Sequence, residues 1–358
     1  MHILATFTTS SVLRSLILLT LLFTISACSS LSYYRQAISG QMELLQKRRP
    51  IDSVLSDPAV DERVRQRLKM MQEARAFAVR ELLLPDNDSY SDYADLGRPY
   101  ALWNVFATPT YSLEPKQWCY PLVGCISYRN YFSRLPAQAY ADSLQAQDYD
   151  VYVAGVPAYS TLGWFDDPVM NTMMHWQDYD LVGTLFHELT HQKFYIPGDT
   201  VFNESLARAV EQEGLRRWMA QQKDSQSYQQ YLQDFSREHE FIQLVLGTRK
   251  QLSDLYQSGL PEQAMFPAKL DIFRQLRRDY LKLRTQWDGY DAYDRWMLSG
   301  VNNAKVQSVA TYHDYLPAFN QILQQQQGDL GRFYREIERL MEMPKTERRV
   351  YLRKLLAD

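Results

Sequence analysis

From residue 31 to about 85, apolar positions return every three to four residues: Leu44 and Leu45, then Val64, Leu68, Met71 and Ala74. That spacing lays one apolar stripe along a helix, and Asp57-Pro58 supplies a start signal. LLLPDNDSYSDY then breaks the period with proline and turn-forming residues. Between 100 and 165 the pattern changes. YALWNVFAT, DVYVAG and AYSTLGWF are short runs rich in β-branched and aromatic residues, punctuated by Gly and Pro, and they predict strands. One short helix, LPAQAYADSLQAQ, interrupts them. From 176 onward the helical period is back, with long runs over 226–258, 261–288, 302–326 and 329–356. Elements segregated in this way predict an α+β fold, mainly helical, with one small mixed sheet packed against helices.

No repeat and no Pro/Gly/Ser linker divides the chain. A single domain is therefore expected over 28–358: a helical lead-in over 28–99, the sheet over 100–175, and a helical body over 176–358. With 46% hydrophobic and 23% charged residues and a net charge of −3, the composition is ordinary for a globular chain. It offers no basic field for nucleic acid, so no such partner is expected.

The first residues read differently. MHILATFTTSSVLR carries Arg14 and precedes SLILLTLLFTISA, too short an apolar run to span a bilayer comfortably, so residues 1–27 read as a secretory signal peptide. Its end, Ile25-Ser26-Ala27-Cys28, resembles a bacterial lipobox. That resemblance implies cleavage before a lipidated Cys28 and, with Ser29 next, sorting to the outer membrane with the domain facing the periplasm. Of three cysteines, lipidation leaves Cys119 and Cys125, an even pair expected to form a disulfide in an oxidising compartment.

The chemistry concentrates in TLFHELTHQKFYIPGDTVFNESLARAV. Leu181, Leu185 and Leu189 share a stripe, which makes this segment a helix. His187 and His191, four apart, then project from one face. Two imidazoles so placed can bind one zinc ion, and Glu188 between them stands near the metal's water as a general base. Pro197 and Gly198 break the helix, and Asp199 or Thr200 is a candidate cap for the next. Glu204 returns near that helix's start as a third ligand. Glu211, two turns on, is a candidate support for a ligand histidine.

HELTH followed by Asn203-Glu204 resembles the gluzincin metallopeptidases. More narrowly, FHELTHQKFYIPGDTVFNESLA, with AYSTLGWFDDP and the lipobox upstream and VNNAKV and YHDYLPAF downstream, resembles a family of bacterial proteins described as predicted aminopeptidases. The resemblance runs over most of the chain. It implies a zincin-like fold whose small sheet packs on the motif helix, and one Zn²⁺ per chain on His187, His191 and Glu204. Glu188 would be base and proton shuttle, and the substrate a peptide.

Two features depart from the gluzincin pattern: the interval from His191 to Glu204 is short, and the Gly-x-Met-Glu-Asn strand that holds a substrate amine in one class is absent. Upstream instead stands GVPAYSTLGWFDDP. There Tyr159 to Phe165 could pair with a peptide backbone, and Asp166 or Asp167 could bind an amine; the alternative is an edge strand and turn. For the oxyanion, Tyr312 is the first candidate, with His313, Tyr159 and His175 behind it. Asn302-Asn303 can cap a helix, and His239 reads as a surface residue. The leading expectation is a lipid-anchored zinc aminopeptidase. A metallo-endopeptidase, a cell-wall peptide hydrolase and a non-catalytic binding lipoprotein remain alternatives.

Overall fold

The structure is a computed structural model describing residues 31–120, 124–158, 160–161, 165–309 and 315–356. It separates into two compact units, 1–46 and 47–358. The described part of the first is one helix, α1, over 31–46. Cys28 and the signal segment lie outside the described residues. Everything below concerns the second unit.

β1 (Arg48–Pro50) and the short α2 (Ile51–Leu55) lead into α3 (Glu62–Leu82). Asp61 caps α3 by accepting from the amides of Arg63 and Val64. Leu68, Met71, Ala74, Ala78 and Leu82 form its fully buried stripe. β2 (Asp92–Ala94) pairs antiparallel with β1 and parallel with β8 (Val169–Met170), a small mixed sheet. A second sheet is antiparallel: β3 (Leu102–Pro109) lies between β6 (Arg129–Tyr131) and β7 (Tyr149–Val156). Between them β4 (Trp118–Tyr120) and β5 (Gly124–Ile126) make a ribbon in which Cys119 and Cys125 face one another and are joined by a disulfide.

The helical body comprises α5 (Asp178–Lys193), α6 (Thr200–Gln222), α7 (Ser225–Tyr256), α8 (Glu262–Gln286), α9 (Asp294–Leu298), α10 (Asn303–Val309), α11 (Leu316–Gln325), α12 (Leu330–Glu342) and α13 (Lys345–Leu355). The mainly helical α+β class is borne out. Its strands are shared among three small sheets. The helices packed along α5 are α3 and α6, while α4 (Arg134–Gln145) and α10 cover the β3 sheet. The 302–326 run is two helices, because Pro317 lies in the first turn of α11 and starts a helix there.

Two cores result. One joins α3, α5 and α6, where the Phe77 ring meets those of Phe186 and Trp218 at 5.9 and 5.2 Å. There Gly214 is required: a Cβ would lie 2.6 Å from Phe186 and 2.7 Å from Leu82. The other joins α7, α8 and α10 around Phe241, Val245, Leu276, Tyr280, Trp287 and Val306. Asn302 caps α10, accepting from Lys305 N at 3.0 Å. Asn303 ties α10 to the β3 sheet by donating to the carbonyls of Thr110 and Ser112, at 2.9 and 3.0 Å.

Candidate metal centre

The motif lies where the apolar stripe directs it. Leu181, Leu185, Phe186 and Leu189 are fully buried, so the face of α5 carrying His187 and His191 turns towards α6. Close packing of the two helices depends on Gly183, whose added Cβ would come within 3.0 Å of Leu215 and 3.2 Å of Glu211.

Between α5 and α6 the chain reverses through a turn fixed by side chains. Asn203 grips Ile196 at both ends, its Oδ1 accepting from the Ile196 amide and its Nδ2 donating to the carbonyl, each at 2.9 Å. Asp199 occupies the cap position of α6 without a side-chain cap bond. Its carboxylate instead pairs with Arg348 of α13 at 2.7 Å, both side chains only 3% exposed. Asn203 thus holds the turn, and its neighbour Glu204 points back at the histidines.

The three side chains converge. His187 Nε2 lies 3.1 Å from His191 Nε2 and 3.2 Å from Glu204 Oε2, and His191 Nε2 lies 3.6 Å from Glu204 Oε1. Ligands about 2 Å from a tetrahedral ion are separated by about 3.3 Å, so these spacings fit one metal between them. Among the described residues this is the His/Cys/Asp/Glu cluster able to hold an ion, with one ligand atom from each residue, all within 4.8 Å.

The electrostatics favour a cation. Burial works to lower the pKa of His187, but the Glu204 and Glu211 carboxylates outweigh it and hold it up to about 10. Burial likewise works to raise Glu204, and the two histidines overcome it and pull its pKa far below the usual range. Glu211 accepts from His187 Nδ1 at 3.1 Å. A carboxylate only accepts, so Nδ1 carries a proton, and a metal displacing the second proton would find the Nε2 lone pair aimed at the cluster. Arg208 donates to Glu211 at 2.6 Å and on its other side pairs with Glu238. His191 lacks such a support: its Nδ1 is buried with no hydrogen-bond partner among the described residues.

A cavity of about 360 Å³ opens on His187 and Glu204, lined further by Arg208, Glu238, Phe241, Ile242, Tyr293, Trp296 and Val309. A model of the family described as "Putative aminopeptidase" matches residues 32–352. The chain belongs to that family. Searches of curated proteins and of solved structures return no match.

The other candidates fall unevenly around this centre. Tyr159, Tyr312 and His313 lie outside the described residues. Asp166 is exposed, and its carbonyl receives Arg48. Asp167 is buried and accepts from Ser160 Oγ, Thr161 N and Thr161 Oγ1, so its carboxylate fastens its own loop. Burial pushes its pKa up to about 6 against those bonds. His175 and His239 are exposed. Tyr90 goes unremarked in the sequence. It is buried with positive φ and its phenol is held well above the usual range by burial and by Glu188. Arg208 was legible in principle, standing four residues after Glu204 and three before Glu211 on one helix. Glu238 and the aromatic lining carry no local signal.

Proposed function

We infer that this protein is a zinc-dependent aminopeptidase, held by lipid on Cys28 at the periplasmic face of the bacterial outer membrane. The observation that carries the catalytic part is the convergence of His187, His191 and Glu204 within 4.8 Å, in a chain of an aminopeptidase family. Their donor set, two imidazoles and a carboxylate, is that of a catalytic zinc site of the gluzincin kind on a zincin-like fold.

Zinc, when bound, supplies Lewis-acid activation of water and of a peptide carbonyl. The chain's own residues do the rest. Glu188 accepts the proton from water and delivers it to the leaving amine. Glu211 fixes the His187 ring. Glu211 and Glu238 pair with Arg208, Glu188 and Glu204 act on His187, and Asp180 adds a further carboxylate, so the surroundings carry more negative charge than one guanidinium offsets and favour a dication together with an ammonium. The free amino end of a peptide is such an ammonium, which favours removal of N-terminal residues. With Asp167 engaged inside its loop, Glu238, which lines the cavity with His187 and Glu204, would receive it at the metal end while still paired with Arg208.

The anchor rests on the signal segment and lipobox; no helix among the described residues is long and apolar enough to cross a membrane. The test of the whole is metal content with turnover. Zinc at one per chain, with cleavage of amino-acid arylamides and not of N-blocked peptides, is the expected result, lost in Glu188→Gln. Cleavage of blocked peptides would move the assignment to an endopeptidase, and a folded protein that takes up no zinc would end it. Membrane fractionation of Cys28→Ser tests the anchor, since an unlipidated protein is expected in the soluble periplasmic fraction.

A further inference from the structure

The cavity's inner end is His187 and Glu204, so whatever occupies it lies against the metal centre. Its remaining walls come from three other elements. Phe241 and Ile242 rise from α7, Tyr293 and Trp296 from the cap and body of α9, and Val309 from the end of α10. Resting on the peptidase reading, we propose that this cavity is the pocket for the substrate's first side chain, and that it takes a large apolar residue (leucine, methionine or phenylalanine) in preference to a small or charged one.

Three observations carry this. The lining beyond the metal ligands is apolar and aromatic except for Arg208 and Glu238, which bind each other, while Arg208 is also held by Glu211. A lysine or aspartate side chain reaching past them would shed its water against rings and methyl groups. The walls are also already in place. Tyr293 stacks on Phe241 at 4.0 Å with planes 8° apart, and Trp296 stands edge-on to Phe241 at 5.2 Å.

Behind Phe241 lie Val245, Leu276, Tyr280 and Val306 of the second core. Buried Lys305 donates to the Trp296 carbonyl and, at 3.1 Å, to that of Gly300, with its ammonium 5.0 Å from the Trp296 ring. A wall so fixed needs no reordering when a side chain enters, which lowers the entropic cost of binding. Finally, about 360 Å³ lies within the range of small-ligand pockets, and an alanyl methyl would leave most of it unfilled.

The experiment has two arms. In the first, kcat/KM is measured on the zinc-loaded protein for alanyl, leucyl, phenylalanyl, lysyl and aspartyl arylamides. In the second, metal-free protein, shown folded by circular dichroism, is titrated calorimetrically with phenylalaninamide and glycinamide. Leucyl and phenylalanyl substrates are expected to exceed alanyl at least about tenfold, and phenylalaninamide to bind where glycinamide does not. Val309→Phe fills the cavity and is expected to reverse the order of phenylalanyl and alanyl. Ile242→Ala enlarges it and moves the preference towards tryptophanyl, a second check if the first variant fails to fold.

Turnover that prefers alanyl or lysyl substrates, or an order unmoved by both variants, overturns the pocket and leaves the peptidase reading standing. Selective binding of phenylalaninamide, lost in Val309→Phe, without hydrolysis of any peptide upholds the pocket and removes the peptidase reading. Neither binding nor hydrolysis removes both.

Discussion

The candidate metal centre and the cavity beside it are built in opposite ways. His187, Glu188, His191, Glu204, Arg208 and Glu211 come from two consecutive helices, with Glu211 only 24 positions after His187. The cavity wall gathers Glu238, Phe241, Ile242, Tyr293, Trp296 and Val309 from three helices spread over much of the C-terminal half. The first region is a local, charge-fixed device: among the described residues each charged side chain has an opposite charge or a histidine within hydrogen-bond reach, Glu188 excepted. The second is held by ring packing and one buried lysine. On the proposed reading, the chemistry that every substrate needs sits in the local part, and the part that would choose among substrates depends on the tertiary fold.

The largest effect that would expose this division is chemical. Glu188→Gln keeps the size of the side chain and removes its basicity, so turnover is expected to fall about 10²- to 10⁴-fold. Zinc content and phenylalaninamide binding should stay at wild-type levels. Loss of zinc in this variant would mean that Glu188 helps to hold the ion, and the separation of roles within the motif would fail.

Next in size is a test of whether the local part is self-sufficient. Its turn is anchored from the far end of the chain by the buried pair of Arg348 and Asp199, and Lys345 donates to the Gly198 carbonyl at 2.6 Å. Arg348→Met leaves buried Asp199 with only the longer contact to Lys345 at 3.8 Å, a change expected to cost up to about 3–5 kcal/mol of stability. Denaturant unfolding measures it. If the folded fraction still takes up one zinc per chain, α5, α6 and the Asn203 clasp suffice for the centre. If zinc is lost while the fold persists, the C-terminal helix is part of the site's construction.

How much of this could be read from the chain follows the same line. The motif helix was legible because a 3.6-residue period puts His187 and His191 on one face whatever surrounds them. The position of Glu204 was legible as an inference from the Pro197-Gly198 break. The means was not: Asn203 turns the chain through two bonds to Ile196, and Asp199, placed as a cap by its residue type, turns away to an arginine 149 residues later. Asp166-Asp167 looked like an amine site for want of any sign that Thr161 would satisfy the second of them. The helical run over 302–326 carried Pro317, the mark of a new helix start, but apolar period alone did not separate α10 from α11. The cavity could not be foreseen, because Phe241, Tyr293 and Trp296 meet only after α7, α9 and α10 pack.

The loop fastened by Asp167 gives a smaller, pH-dependent effect. Burial raises the pKa of Asp167 from 3.8 to about 6, so between those values the folded state holds more protons than the unfolded one. Its contribution is therefore fully present below pH 3.8 and is lost as pH rises through about 6, by at most about 3 kcal/mol. Asp167→Asn removes that slope. Wild-type stability relative to the variant should fall from pH 4 to pH 6.5, as read in thermal melts across that range. A flat difference would mean that the bonds from Ser160 and Thr161 keep the carboxylate ionised throughout, and the loop would be a charged fastening like those around the metal.

The smallest effect probes the charge link between the two regions that runs through Arg208. Glu211 touches His187 on one side and Arg208 on the other, and Arg208 reaches Glu238 at the cavity. Glu211→Gln retains an acceptor for His187 Nδ1 and loses the charge that strengthens the histidine as a ligand and holds Arg208. Zinc affinity, measured by competition with a chromogenic chelator, is expected to weaken about 10- to 100-fold. Arg208, freed on that side, would keep Glu238 as its partner, so the affinity of metal-free protein for phenylalaninamide should change far less. Equal losses in both measurements would show that centre and pocket are one charge network, and that the contrast between a local and a dispersed region describes their assembly without dividing their function.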